Sequence, residues 1–404
     1  MTNPSNIIIL DPQLEGVGGH YFTLDTLLAE ECRNRNIPVE VYGRVGSNIE
    51  SLHAEFKPVF RYNIFDEMKT STSFGVFENL YLMNQLFFED LQKIDIEKIS
   101  ANTIVYFPNL IQNQLDSIAD WIVSIPELKR PSVVITLRWL NSRLAYNADR
   151  GYEKAIEFIY ALGIRKLKTR HARTYFFSDT QTLAAKYAEI SGIEVLVHPV
   201  PQADSGEINE AEPEVIPSKI SVVYLGTASP IRGFHLLPRI IRQVLSETEN
   251  VKFVIQNPKD NPVEPVRLAA DAIKNMAGEF VTVLDQTLSV DDYQKVLNEA
   301  DIILLPYDQK FYEYGSSGVF TEAACLGKII ITTAGTVQEQ VAKQNGLACI
   351  VTNIFEAYTF AEGIKMAVVN FPEYRKIANF SAKKFRSENS PKSFWDNIFF
   401  CVNN

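Results

Sequence analysis

Asp301-Ile-Ile-Leu-Leu-Pro-Tyr307, then Phe311-Tyr-Glu-Tyr-Gly-Ser-Ser-Gly318, then Val319-Phe-Thr-Glu-Ala-Ala-Cys-Leu-Gly-Lys328-Ile-Ile-Ile-Thr-Thr333, is the stretch whose reading decides the fold. The apolar run Ile302–Leu305 stops at Pro306, which has no N–H to give to a strand ladder. A helical pattern opens at Gly318 and Gly327 closes it, because glycine tolerates the left-handed backbone of a helix end. Lys328-Ile-Ile-Ile-Thr-Thr333 then returns as a second β-branched run. Two short apolar runs flanking a helix predict a βαβ unit in a parallel sheet covered on both faces.

The same alternation spreads in both directions. Downstream of residue 218, strands are predicted at Ser221–Leu225, Val251–Gln256 and Phe280–Leu284, with helices at Phe234–Leu245, Val266–Met276 and Asp291–Asn298. Upstream, the predicted strands are Ile7–Leu10, Val39–Tyr42, Thr103–Phe107, Val133–Leu137, Tyr175–Ser178 and Val195–Val197. A helix over Tyr21–Arg35 carries Leu24, Leu27, Leu28 and Cys32 at helix-face spacing. The expected fold class is α/β, with two tandem doubly wound, Rossmann-like domains facing across a cleft. Residues 1–200 form the first domain, the acidic, Pro-rich stretch 201–217 a linker, and 218–375 the second domain. The aromatic residues Phe380, Phe385, Phe394, Trp395, Phe399 and Phe400 predict a helical segment over 376–404 that crosses back to the first domain.

Composition narrows the function classes. The 404 residues carry 39 Lys and Arg against 49 Asp and Glu, a formal charge of −10, which excludes a general nucleic-acid binder held by phosphate contacts. No run approaches the roughly 20 apolar residues that span a bilayer. The four cysteines, Cys32, Cys325, Cys349 and Cys401, lie far apart, so a reducing cytoplasm is the expected compartment. One patch runs against the net charge. Residues 163–173 hold five Lys or Arg together with His171, and Arg143, Arg150 and Lys154 lie nearby. This is either a solvated helix face or a cationic rim for an anionic acceptor or for the headgroups of the inner membrane surface.

Three glycine-rich turns carry chemistry. Gly16-Val-Gly-Gly-His20 follows the first strand and opens a helix, where backbone N–H groups can approach an anion. Gly226-Thr-Ala-Ser-Pro-Ile-Arg-Gly233 follows the first strand of the second domain, and Arg232 can grip a diphosphate bidentately. Gly315-Ser-Ser-Gly318 supplies hydroxyls and a helix N-terminus, with Glu322 one turn further in, placed to accept from ribose hydroxyls. The five histidines show no metal-ligand spacing, and no Asp-x-Asp pair is present, so no metal or other cofactor is expected. Tyr307, Tyr312 and Tyr314 fit either a sugar contact or an ordinary loop boundary.

In order and spacing these segments resemble the nucleotide-sugar-binding half of GT-B glycosyltransferases, above all the retaining family 4 (glycosyl transferases group 1). Ala300-Asp-Ile-Ile-Leu-Leu-Pro306, Glu322-Ala-Ala-Cys-Leu-Gly-Lys328 and Ala334-Gly-Thr-Val-Gln-Glu339 carry the resemblance over about 215–345. It implies a metal-independent transfer from a nucleotide-diphosphate sugar to a saccharide or glycoconjugate hydroxyl, with retention, in a polysaccharide or glycoconjugate pathway. Glu322 matches the second Glu of the family's E-x7-E motif, the ribose ligand, and Arg232 matches the Lys of the diphosphate pair. Donor binding then falls to Gly18, Gly19, Gly226, Thr227, Arg232, Tyr314, Gly315, Ser316, Ser317, Gly318 and Glu322. Catalytic roles fall to Glu313, Arg232 and His20, and the acceptor side to Asn109 and Arg138. The chain departs from the pattern where Tyr314 stands for the first Glu, with Glu313 one place earlier, and where Thr227 stands for the Arg, with Lys310 as the substitute cation. A nucleotide-sugar epimerase on the same fold and a non-catalytic partner of another transferase stay open as alternatives.

Overall fold

The computed structural model describes residues 3–47, 49–50, 52–63, 75–138, 140, 150–203, 216–257 and 264–404. Two compact units emerge, Met1–Pro201 with Pro391–Asn404, and Gln202–Ser390. The expected linker lies mostly outside the described residues, as does Arg143.

The first unit is built on seven strands: β1 (Asn6–Leu10), β2 (Val39–Arg44), β3 (Glu55–Phe60), β4 (Thr103–Leu110), β5 (Ser132–Leu137), β6 (Thr174–Ser178) and β7 (Val195–Val197). They pair in parallel in the order β3-β2-β1-β4-β5-β6-β7. β3 escapes the sequence reading because Glu55-Phe-Lys-Pro-Val-Phe60 mixes charges and a proline into the run, the composition of an edge strand.

The second unit repeats the plan with β8 (Ile220–Tyr224), β9 (Val251–Gln256), β10 (Val281–Leu284), β11 (Ile302–Leu305), β12 (Ile329–Thr333) and β13 (Cys349–Thr352). Their order is β10-β9-β8-β11-β12-β13, again all parallel. β11 shows why the deciding stretch is apolar throughout. Ile302 and Leu304 enter a core with Ile240, Ile241 and Phe360, whereas Ile303 and Leu305 enter another with Phe320, Ala323 and Ala324. Alternate side chains face opposite layers, and both layers are dry. In each sheet the winding reverses between two central strands, β1 and β4 or β8 and β11, which opens a crevice beyond their carboxyl ends.

The helical end of the chain divides between the units, which corrects the expected single segment 376–404. Helix Phe371–Glu388 stays with the second unit, where Phe385 joins the core beside helix Gly318–Cys325. Its Phe380 is 85% exposed, so the aromatic count overstated the face that crosses. Helix Pro391–Asn403 joins the first unit, burying Phe394, Trp395, Ile398 and Phe399 among Ile7, Ile9 and Tyr106. Trp395 Nε1 donates to the Leu28 carbonyl at 3.1 Å, and Arg35 pairs with Asp396 at 2.7 Å. Trp395→Phe is expected to cost about 2 kcal/mol of stability, from the lost hydrogen bond and the small void it leaves. Chemical denaturation measures it, and an unchanged midpoint would show that this helix adds little to the first unit.

Candidate functional site

In the second unit the chain leaves β8 at Gly226, whose φ of 104° a side chain would strain. Its N–H donates to Oε1 of Gln256, the last residue of β9, at 2.8 Å. A short turn, Pro230–Arg232, ends at Gly233, where a Cβ would stand 2.2 Å from the Pro306 carbonyl oxygen. Only glycine lets this loop lie against the end of β11. The consequence is the placement of Arg232. Its Nη1 would lie 3.0 Å from a Cβ on Gly226, and Val319 Cγ2 would lie 3.8 Å from the same point. The guanidinium and the first turn of helix Gly318–Cys325 therefore flank one glycine at the β8/β11 crevice. Arg232 Nε donates to the Tyr312 hydroxyl at 3.0 Å. Burial works against its charge, yet the oxygens of Tyr312, Tyr307 and Tyr224 more than compensate and hold it protonated.

The tyrosines are struts. Tyr307 and Tyr312 are buried and stack on each other at 3.9 Å, so neither offers its ring to a sugar. The Tyr307 hydroxyl shares a hydrogen bond of 2.9 Å with Ser317 Oγ, which also caps the helix by accepting from Phe320 N. Gln338 Nε2 donates to the Gly315 carbonyl at 2.9 Å and ties down the turn before that cap. The first N–H groups of the helix have no acceptor within it and suit an anion. One turn on, Glu322 is half-buried and its Oε2 accepts from the Tyr293 hydroxyl. Burial raises its pKa, and the Tyr293 hydrogen bond opposes that rise.

Other predicted donor-side residues are scattered. Thr227 and Glu313 are exposed, and Tyr314 and Ser316 are half-buried. Glu313 lines an open cavity of about 470 Å³ with Asp308, Lys310, Thr333, Asn353 and Phe355. Tyr314 keeps the place eight before Glu322. Glu339, expected within the glycine-rich end segment, is spent locally, accepting from Gly335 N and pairing with Lys343.

In the first unit, Gly18 and Gly19 adopt φ of 99° and 78° and lead into helix Gly19–Asn34, whose N-terminus has no side-chain cap. The edge of His20 is exposed, but its Nε2 accepts from Arg138 Nη1 at 3.3 Å. Desolvation of the ring and the adjoining guanidinium push its pKa down to about 4, so at neutral pH it is uncharged, with the proton on Nδ1. Arg138 and Asn109 do not stand on the surface as acceptor ligands. They are 5% and 0% exposed, Arg138 pairs with Asp179 at 3.3 Å, and Asn109 Nδ2 donates to Asp11 at 3.4 Å.

Asp11, Asp25 and Asp179 were not singled out from sequence. The signal available for Asp11 was a carboxylate directly after an apolar strand; Asp25 hides inside an ordinary helical pattern. Burial pushes the Asp11 pKa up to about 7, against one backbone hydrogen bond from Gln13 and the Arg138 charge. Burial and the Asp11 charge also raise that of Asp25, whose two oxygens have no hydrogen-bond partner among the described residues. The native state thus binds the Asp11 proton more tightly than the unfolded chain does. Its favourable contribution is complete at low pH and lost as pH rises through about 7. Asp11→Asn is expected to gain stability on wild type between pH 4.5 and 7.5 in thermal melts, and parallel curves would show an ordinary carboxylate.

His198 is structural, bonded to Thr136 Oγ1 and to the Pro199 carbonyl at 2.7 Å each. The cations of 163–173 are engaged within their own unit: Lys166 and Arg170 with Asp120, Lys168 and Arg173 with backbone carbonyls, and Arg165 with the Ser191 carbonyl. Among the described residues no group of three or more His, Cys, Asp or Glu is arranged around a common metal position, and no helix is long and apolar enough to cross a membrane.

Two parallel, doubly wound units with a crevice at the reversal of each sheet define the GT-B architecture, and solved structures agree over the whole chain. Anabaena Alr3699/HepE in complex with UDP and glucose is 14% identical, with 99% of this chain and 100% of that one covered at a TM-score of 0.64. Sucrose-phosphate synthase from Thermosynechococcus elongatus is 13% identical, with 98% of each chain covered at 0.66. The α,α-trehalose 6-phosphate synthase of Burkholderia multivorans is 9% identical, with 99% and 97% covered at 0.68. No curated protein matches by sequence. Residues 219–368 match the family described as Glycosyl transferases group 1. The second unit thus resembles a group 1 glycosyltransferase domain over those residues, and the chain has the GT-B fold.

Proposed function

We propose that the protein moves a sugar from a nucleoside-diphosphate sugar to a hydroxyl of a saccharide or glycoconjugate, with retention and without a metal. One observation carries this reading: Arg232 and the N-terminus of helix Gly318–Cys325 flank Gly226, with Glu322 one turn further along the same helix. A diphosphate at Gly226 would meet a fixed guanidinium and fixed N–H dipoles, and its ribose would reach Glu322.

The chemistry follows from where charge develops. As the bond from the sugar C1 to the diphosphate oxygen breaks, negative charge gathers on the leaving group and positive charge on the sugar ring. Arg232 and the helix N–H groups stabilise the first without reorganising. The acceptor oxygen bonds to C1 on the face the diphosphate leaves, and its proton passes to the departing phosphate oxygen. No protein nucleophile is needed. Glu313, facing an open cavity, is assigned to sugar hydroxyls, and neutral His20, donating through Nδ1, to the acceptor side.

The test is nucleotide release from a panel of UDP-, GDP-, ADP- and dTDP-sugars with and without cell extract. UDP is the first nucleotide to try, because HepE has been solved with it. Release with at least one donor supports the reading. Binding of a nucleotide with no turnover under any condition would favour the non-catalytic partner. A nucleotide-soaked crystal with its diphosphate away from Gly226 and Gly315–Gly318 would sink the site.

A further inference from the structure

Glu322 does not stand alone in its crevice. Tyr293 comes from helix Val290–Glu299, a different crossover, and donates its hydroxyl proton to Oε2 of Glu322. The helix is held by its cap and by one buried residue. Ser289 caps it by accepting from Asp292 N at 3.1 Å, Tyr293 N donates to the Ser289 carbonyl at 2.9 Å, and Leu297 is fully buried. The Tyr293 ring packs against the core that holds Phe320 and Ala323, residues of the Glu322 helix. Neither end of this hydrogen bond is therefore free to wander.

The pairing joins a phenol hydroxyl and a carboxylate drawn from two different helices. It consumes one lone pair of a carboxylate and leaves Oε1 of Glu322 with no partner among the described residues. We propose that Tyr293 is a positioning residue for nucleotide recognition, holding one oxygen of Glu322 so that the other accepts from a ribose hydroxyl. This rests on the ribose role of Glu322 given above.

A half-buried carboxylate that must accept hydrogen bonds has two difficulties. It can rotate, and burial favours its protonated form, which can no longer accept at both oxygens. The Tyr293 hydroxyl addresses both. It fixes the carboxyl plane, and it favours the ionised form against the burial that raises the Glu322 pKa. The phenol itself stays protonated, because burial and the Glu322 charge hold its pKa well above the usual range. The other groups facing this pair are Tyr307 from the end of β11, Cys325 on the helix of Glu322, and Arg232, whose charge reaches Tyr293. Arg386, from helix Phe371–Glu388, donates to the Cys325 carbonyl at 3.2 Å on the far side. Among these, Tyr293 is the hydrogen-bond donor to Glu322.

The experiment is calorimetric titration of the full chain with UDP, GDP, ADP and CDP, and with their 2′,3′-dideoxy counterparts, from pH 5 to 8.5. Tyr293→Phe keeps the ring and its packing and removes only the hydroxyl. It is expected to weaken binding of the preferred ribonucleotide about fivefold. The low-pH loss of binding should begin at higher pH in this variant, because the Glu322 proton is then held more tightly. Binding of the dideoxy nucleotide should match wild type. In a Glu322→Ala background, adding Tyr293→Phe should change nothing, since a residue that acts through another loses its effect when that partner is gone.

Equal weakening of ribo and dideoxy ligands would make Tyr293 a structural residue and overturn the proposal. So would an unchanged affinity and pH profile in Tyr293→Phe. If Glu322→Ala itself leaves ribonucleotide affinity intact, the ribose reading falls first and takes this one with it. Loss through Glu322→Ala alone, with Tyr293→Phe silent, would keep that reading and discard the positioning role.

Discussion

Arg232→Ala is expected to slow sugar transfer on the order of 10²- to 10³-fold, the usual cost of removing one fixed group that stabilises a developing oxyanion. The size follows from the site. Arg232 is the guanidinium at Gly226, held by Tyr312 in the crevice proposed for the leaving diphosphate. The loss should fall on kcat as well as on the donor KM, because the leaving group carries more charge in the transition state than in the bound donor. Arg232→Lys should recover only part of the rate, since an ammonium keeps the charge but not the paired N–H geometry. Initial rates of nucleotide release measure both variants. A fall of less than about tenfold in the alanine variant would mean that the diphosphate is held elsewhere. Removing Arg232 also leaves the Tyr312 hydroxyl without its donor, so melting temperatures must accompany the rates.

Glu322→Ala is expected to weaken binding of the donor and its nucleotide about 10- to 100-fold, the loss of a hydrogen bond to a charged acceptor. The effect should sit mainly in KM and in the nucleotide Kd. On the proposed reading the ribose is remote from the breaking bond and is gripped alike in ground and transition states. Wild-type binding should decline as pH falls through the Glu322 pKa, which burial raises, and the alanine variant should lose that dependence. Equal donor KM in the two proteins would remove Glu322 from the site. Together the two substitutions separate the roles, Arg232 acting on the step and Glu322 on recognition.

The parts of this site that were legible beforehand are those in which backbone geometry dictates residue type. Gly226 and Gly233 had to be glycine, one for a positive φ and the other for an approach of 2.2 Å to Pro306. Such demands are written locally. Ile302–Leu305 was equally clear, because a strand dry on both faces tolerates no polar residue. The edge strand Glu55–Phe60 was invisible for the opposite reason, since one side of it meets water and charges are permitted there. The C-terminal aromatics pointed to a docking helix, but Phe380 and Phe394 look alike in sequence. Only packing shows that one faces outward and the other enters the first unit.

Side-chain partnerships were the least legible. Tyr293 sits in the polar run Ser289-Val-Asp-Asp-Tyr293, and nothing there marks it as the partner of a carboxylate 29 residues away. Arg138 was readable as a surface cation after a strand, yet it is buried between Asp179 and His20. The offset of Glu313 from the motif position was visible, but whether the loop would absorb it was not. The chain by itself determined two doubly wound domains and the glycine-rich turns beyond their strands, because periodicity and permitted φ angles act within a few residues. The tertiary structure alone decided which polar groups meet, which carboxylates are desolvated, and that the last helix leaves the second unit at Pro391. Those outcomes depend on neighbours brought together across long sequence separations, where burial and charge, rather than local propensity, set the energy.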